Sequence, residues 1–162
     1  HSRNGINISG SSNGSLRPTV VNNTVAWNGQ RGVFIGSSTR PSHNTFLHNN
    51  IIFMNKGNNV QVAASNNYDA DYNLVFPDTY ANSSPPGPHD INISPFLIDP
   101  SEDATNFRLE QSIAGQPRTS RAIDGGDPNT PPQFAEPLRA RTTATNNVLD
   151  GGTIDMGYHY RP

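Results

Sequence analysis

Three aspartates lie close together near the middle of the chain, at Asp69, Asp71 and Asp78. Carboxylate oxygens, together with backbone carbonyls, are the ligands that Ca²⁺ prefers in proteins. The sequence therefore predicts a calcium site at this cluster, and it indicates no other cofactor. The segment lacks the glycine and the distal glutamate of an EF-hand loop, so the alternative interpretation is a polar entry into the strand expected at 72–76.

Two cations and two tyrosines suggest contact with a carbohydrate. Arg31 and Lys56 occupy neighbouring corners of the repeat described below, two residues out of register. They predict a small basic strip that binds an anionic glycan, the alternative being two solvated corner side chains. Tyr72 and Tyr80 are candidate exposed rings on which sugars stack, although most aromatic side chains belong to a core.

Carboxylates are too unevenly placed to assign catalysis. Glycoside hydrolysis needs two carboxyl groups across a cleft, and lyase chemistry needs a base such as Lys or Arg, often with Ca²⁺. No Asp or Glu precedes Asp69, so a hydrolase could use only groups from that residue onward. We assign no catalytic residue, and whether the protein is an enzyme stays open. The aspartates beside glycines are predicted to accept hydrogen bonds within their own turns, namely Asp124, Asp127, Asp150 and Asp155.

Composition and charge exclude several classes of protein. The 162 residues include 14 Gly, 14 Pro and no Cys, 32% are hydrophobic, and Asn, Ser and Thr are abundant, which disfavours long helices. Residues 1–68 carry five cations and no carboxylate, whereas residues 69–162 carry all 13 carboxylates against six Arg. The basic half is too dilute for nucleic-acid binding, and no apolar run approaches the ~20 residues that span a bilayer.

A repeat of 27 residues runs through the first half of the chain. The segment 22–28 aligns with 49–55, and 5–8, 32–35 and 59–62 align with one another at the same spacing. A looser fourth copy is predicted at 72–76 and 91–93, separated by a surface loop at 77–90. Each copy holds two short β-rich runs and buries only one face, so the copies must stack to form a core.

The stacked copies predict specific corner chemistry. Turns rich in Asn and Gly, such as 28–32, suit residues with positive φ. Asn23, Asn50 and Asn73 occupy matching positions, so they either stack as an amide ladder or satisfy only their own turns. The runner-up fold is a β-sandwich of short strands, but hairpins give no reason for a period of 27 residues.

The coils resemble the right-handed parallel β-helix of pectin-lyase-like proteins. The tail is similar to the C-terminal region of secreted bacterial β-helix proteins, through a Pro-Phe strand at 95–96, a Phe-Arg-Leu strand at 107–109 and a final Asp-x-Gly-Tyr-x-Tyr at 155–160. This resemblance implies an all-β solenoid with a loop-rich C-terminal cap. We expect coils over 1–98, with the loop insertion at 77–90, and C-terminal strands and cap over 99–162.

The expected function follows from the resemblance and from the first half without carboxylates. We expect a non-catalytic extracellular or cell-surface protein with a structural or assembly role, which contacts polysaccharide through outward polar faces. The alternative is the C-terminal part of a polysaccharide lyase or glycoside hydrolase. An exposed first coil would present unpaired backbone groups, so the expected partner there is another copy or an upstream β-helix segment, with filament formation as one outcome.

Overall fold

The computed structural model describes residues 3–10, 17–37, 44–63, 67–81, 84–103 and 105–162. Nine strands precede a C-terminal segment with one short 3₁₀ turn, Ser112–Ala114, and one helix, α1, Pro132–Arg139. The strands are β1 Asn4–Gly10, β2 Thr19–Val21, β3 Thr24–Ala26, β4 Arg31–Ser37, β5 Asn44–His48, β6 Ile51–Phe53, β7 Val60–Val62, β8 Asn67–Asp71 and β9 Leu74–Phe76. Neither helical element is long and apolar enough to cross a membrane, among the residues searched.

The strands form three parallel sheets, in the orders β1-β4-β7, β2-β5-β8 and β3-β6-β9. Ile6 pairs with Val33 and Val33 with Val60, which confirms the register that the 27-residue repeat predicts. The next coil is shorter, because Ile51 pairs with Leu74 at a spacing of 74 − 51 = 23 residues. Successive coils therefore stack as a parallel β-helix, and the antiparallel hairpins of a sandwich are absent from these nine strands.

The interior of the β-helix is apolar. The inward side chains of β4 and β7, Val33, Ile35, Val60 and Val62, are at most 1% exposed. Phe34 and Gln61, which alternate with them, are only half-buried on the outer face, as the strand period of two predicts. One continuous inner core forms from the stacked coils, since no single coil could bury both of its faces.

The β3-β6-β9 sheet is buried on both faces. Ile52 points into the inner core, whereas its neighbour Ile51 joins a second apolar cluster outside the helix, and both are at most 1% exposed. That cluster contains Leu109 and Met156 from the C-terminal segment. The loop-rich C-terminal segment therefore covers the outer face of this sheet.

Two ladders of amide side chains follow the coil corners. In the first, the backbone N–H and Nδ2 of Asn23 donate to Oδ1 of Asn50 at 3.0 and 3.3 Å, and those of Asn50 donate to Asn73 at 3.0 and 2.9 Å. Asn73 donates in the same way to Asp90, at 2.7 and 3.1 Å. Each Nδ2 also bonds the carbonyl two residues before it, as Asn50 does with His48 at 2.9 Å. The predicted ladder is confirmed, and each amide satisfies its own turn as well.

A second ladder runs along the next corner of each coil. Asn28 donates to Asn55 at 2.9 Å from both nitrogens, and Asn55 donates to Asn59. The residues just before these ladder positions take positive φ, Trp27 at 52° and Met54 at 53°. The glycines of the corners do not, in the described residues, so the positive φ lies one residue before each Asn- and Gly-rich turn and not within it.

Two further expectations about the repeat need correction. Each coil has a third strand, β2, β5 or β8, that the repeat analysis missed. Ile91 bridges to Leu74 and so extends the β3-β6-β9 sheet, although the alignment placed it on the β1-β4-β7 sheet. Tyr80, inside the segment expected to be a surface loop, bridges to Val60 and extends that other sheet.

Candidate functional site

The two cations of the predicted basic strip line one surface groove. Arg31 begins β4 and Lys56 lies in the corner after β6, and the groove between them has a volume of about 290 Å³. The Lys56 N–H donates to the Asn28 carbonyl at 3.0 Å, which ties this corner to the coil before it. The stacking of two coils is therefore what brings the two charges together.

The Arg31 guanidinium is held in place by its own coil neighbours. Its Nε donates to Oε1 of Gln61, and its central carbon, Cζ, lies 4.7 Å from the centre of the Phe34 ring. Lys56 is exposed, and neither cation pairs with a carboxylate among the described residues. Among the residues that the structure describes, the groove thus presents two positive charges without a carboxylate partner, and the charge of Arg31 is oriented by its contact with the Phe34 ring.

The three aspartates of the predicted calcium site have separate surroundings. The Asp69 side chain is 73% exposed and lies 3.4 Å from Nε2 of His48. Asp71 instead accepts two hydrogen bonds from His89, and Asp78 is exposed in the segment after β9. These three residues form no metal-ligand group in the described part of the chain.

His89 governs the protonation of Asp71. Partial burial would raise the pKa of Asp71, but hydrogen bonds from the ring and the backbone N–H of His89, each 2.7 Å, and from the Tyr72 N–H hold that pKa below its usual 3.8. A carboxyl with a depressed pKa stabilises the fold above its unfolded pKa, and this contribution is lost as the pH falls through the folded pKa.

We therefore expect the stability that Asp71 contributes to be present above about pH 3.8 and to disappear below it. In a His89→Gln variant the ring bond is lost, so the pKa of Asp71 should rise towards 3.8. Carbon-detected NMR titration of the side-chain carboxyl measures both midpoints. Asp99, whose pKa is lowered by Ser101, is the internal control, and an unchanged Asp71 midpoint in the variant would contradict the assignment.

The two tyrosines proposed for sugar stacking have different surroundings. The Tyr72 ring stacks on the His89 ring at a centroid distance of 4.5 Å and is partly exposed. Tyr80 packs against the inner core, and its hydroxyl donates to Oδ2 of Asp90, beside the last rung of the first ladder. Burial, and then the Asp90 charge, raise the pKa of Tyr80. Of the two, Tyr72 offers the more accessible ring.

A buried centre of two carboxylates and a histidine lies in the C-terminal segment. Asp150, Asp155 and His159 are each at most 8% exposed, and one ligand-type atom from each lies within 4.8 Å of the others. Nε2 of His159 lies 2.6 Å from Oδ2 of Asp150, which also accepts the Asp155 N–H at 3.0 Å. Burial, and then the nearby Asp150, raise the pKa of Asp155 to about 6.

From the sequence these aspartates were predicted to be separate turn residues, and this centre was not predicted. The Asp155 carboxylate accepts hydrogen bonds from the Asp124 N–H at 2.7 Å and from the Thr143 hydroxyl. A bridge between Thr142 and Tyr160 brings these segments together, and neither partner shows a strand pattern in the sequence. The available signal was three ionisable residues within ten positions of a segment with little other charge.

A scan against protein-family models gave no match for this chain, and searches of curated proteins and of solved structures likewise found none.

Proposed function

We propose that this protein is a non-catalytic, extracellular β-helix module that binds anionic polysaccharide at a cell surface or in a matrix. The observation that carries the proposal is the groove in which Arg31 and Lys56, from consecutive coils, face solvent together without a carboxylate partner among the described residues. The resemblance of the tail to secreted β-helix proteins supports the extracellular location.

The geometry of the groove suits a polymer with repeated carboxylates or sulfates. Stacked coils rise by about 4.8 Å, so cations on successive coils form a row along the helix axis. Arg31 presents a planar guanidinium that can bind a carboxylate through two hydrogen bonds, and Lys56 adds a mobile point charge. Gln61 and Asn58 line the same groove and offer neutral hydrogen-bonding groups for sugar hydroxyls.

Neutralising the groove should weaken binding to polygalacturonate and alginate. We expect the double variant Arg31→Gln, Lys56→Gln to lose binding by about tenfold at low salt, because the two exposed ion pairs each contribute up to about 1 kcal/mol and a factor of ten corresponds to about 1.4 kcal/mol. Binding of the unaltered protein should weaken as salt rises. Affinity electrophoresis in gels that contain each polymer, with a neutral glucan as reference, measures the effect.

The double variant Arg121→Gln, Arg161→Gln is the matched control, because it removes two exposed positive charges that do not line the groove. Equal retardation of the groove variant and the unaltered protein would refute the groove as the binding site. Equal loss in the control variant would instead indicate attraction by overall charge.

We propose that the protein performs its structural role by assembling through the first coil. Within the described residues, β1, β2 and β3 each pair with a strand on one side only, and Oδ1 of Asn23 accepts no hydrogen bond. A second copy that stacks on this edge would supply the missing backbone partners and the preceding rung. Sedimentation analysis over a range of concentrations tests this, since a monomer at every concentration would count against assembly through this edge.

A product assay distinguishes this proposal from the alternative function, in which the chain is part of a polysaccharide lyase or hydrolase. Binding without chemistry predicts no new reducing ends and no unsaturated uronate absorbance after incubation with pectin, alginate or neutral glycans. Either product, formed by protein of verified purity, would favour the enzyme.

A further inference from the structure

We propose that Nδ1 of His48 and Oδ2 of Asp127 together bind a borderline divalent cation, Zn²⁺. His48 is the last residue of β5, and Asp127 belongs to the C-terminal segment that packs on the outside of the β-helix. Neither residue lines the polysaccharide groove, so the proposal does not depend on the proposed function.

The first argument is a buried nitrogen without a partner. The His48 side chain is only 9% exposed, and its buried Nδ1 makes no hydrogen bond with the described residues. Nδ1 lies 3.6 Å from Oδ2 of Asp127, which is too long for a hydrogen bond. A buried polar atom without a partner is costly, so the position between these two atoms calls for a further group.

The second argument is the arrangement of acceptors around the His48 ring. Nε2 of His48 lies 3.4 Å from Oδ1 of Asp69, and a carboxylate in this place holds the ring proton on Nε2. Nδ1 of the neutral ring is then a lone pair, and it faces the carboxylate of Asp127. Two acceptors that face each other repel unless a cation lies between them. A carboxylate on one ring nitrogen and a metal on the other is the usual setting of a metal-binding histidine.

The third argument is the spacing of the two atoms. Bonds from Zn²⁺ of about 2.0–2.2 Å that meet at about 110–120° hold their outer atoms roughly 3.3–3.7 Å apart. The separation of Nδ1 of His48 from Oδ2 of Asp127 is 3.6 Å. A bridging water with two hydrogen bonds of about 2.8 Å at a tetrahedral angle would hold them about 4.6 Å apart. The distance therefore fits a metal ion and does not fit a water.

The surroundings fix both ligands in place. The His48 ring stacks on the Phe46 ring at a centroid distance of 3.8 Å. The Asp127 N–H donates to Oδ1 of Asn49 at 2.7 Å, which ties this turn to the corner of the coil. Oδ1 of Asp127 accepts the Asn129 N–H at 2.8 Å. The other carboxylate oxygen, Oδ2, is thus the one that faces His48.

The donor set selects the ion. An imidazole nitrogen with a carboxylate oxygen suits Zn²⁺, whereas Ca²⁺ and Mg²⁺ prefer oxygen ligands alone. In the described part of the chain, no third His, Asp or Glu offers an atom within 4.8 Å of both ligand atoms, so water would complete the coordination. The bound ion would link β5 to the C-terminal segment.

Calorimetric titration of the chelator-treated full chain with ZnCl₂ tests the proposal. We expect saturable binding of one ion per chain, weakened by at least about tenfold in Asp127→Asn, because the variant loses one of the two protein ligands. Asparagine keeps Oδ1 for the Asn129 N–H, and its Nδ2 can donate to Nδ1 of His48, so this variant should fold.

His89→Gln is the matched control. His89 is an exposed histidine that also faces a carboxylate, Asp71, and the variant should bind Zn²⁺ as the unaltered protein does. The absence of saturable binding would overturn the proposal, and so would binding that Asp127→Asn leaves intact.

Nitrogen NMR of the histidine rings is the second readout and needs no variant. Addition of ZnCl₂ at neutral pH should shift the Nδ1 signal of His48 and leave the proton on Nε2. A His48 ring that carries protons on both nitrogens in the presence of Zn²⁺ would also overturn the proposal, because a proton would then occupy the place of the ion.

Discussion

Asn50→Ala is expected to lower the free energy of unfolding by roughly 3–5 kcal/mol, a large effect for one polar side chain. Its Nδ2 donates to the carbonyls of Val20 and His48 and to Oδ1 of Asn73. Its Oδ1 accepts hydrogen bonds from the backbone N–H and the Nδ2 of Asn23. Asn50 is fully buried, so water cannot reach the corner to replace these hydrogen bonds. Chemical denaturation followed by far-ultraviolet circular dichroism measures the loss.

The control for this prediction is Asn58→Ala. Asn58 is partly exposed and its side chain makes no hydrogen bond with the described residues, so we expect a change within about 0.5 kcal/mol. Similar destabilisation by the two substitutions would mean that the ladder contributes nothing beyond an ordinary surface asparagine.

Ile51→Ala and Ile52→Ala should each destabilise the protein by about 2–5 kcal/mol, although the two residues are adjacent in one strand. Alternation in β6 directs Ile52 into the helix and Ile51 towards Leu109 and Met156. Both side chains are essentially inaccessible, so each truncation removes apolar contacts and leaves a cavity. Thermal and denaturant unfolding of both variants measure these costs.

Ile113→Ala is the matched control, because Ile113 is 88% exposed and its truncation should be nearly neutral. The informative comparison is between Ile51 and Ile113. A neutral Ile51→Ala would mean that the C-terminal segment does not cover the β3-β6-β9 sheet in solution.

The repeat in the sequence was sufficient to predict the solenoid and its register. Val33 and Val60 pair as expected because a parallel stack places equivalent residues of successive coils opposite each other. The Asn23 ladder follows from the same periodicity. Proximity of Arg31 to Lys56 was also predictable, since residues at nearby phases of the repeat must lie on adjacent coils.

Features that depend on how strands from different coils pair were not predictable from the repeat. The β2-β5-β8 sheet was missed because its outward positions carry Phe46 and His48, which blur the alternation of apolar and polar residues. Ile91 was assigned to the wrong sheet because the shorter fourth coil breaks the 27-residue phase. Positive φ at Trp27 is set by the corner geometry and has no signal in the residue type.

The buried centre of Asp150, Asp155 and His159 was not predictable from the sequence for the same reason. Asp150 contacts His159 in a region where Thr142 and Tyr160 bridge and close the C-terminal turn. Asp124 reaches the same centre from a separate segment, through its N–H bond to Asp155. Separation along the chain says nothing about distance when the connecting segments are irregular.

The last rung of the first ladder gives the β-helix a polarity. Every amide from Asn23 to Asn73 points its N–H groups in one direction, so their dipoles add, and the positive end meets the negative charge of Asp90. Unlike asparagine, an ionised aspartate has no N–H to pass on. Such a stack can be extended before Asn23 but not beyond Asp90, so the two ends of the coil column are chemically different.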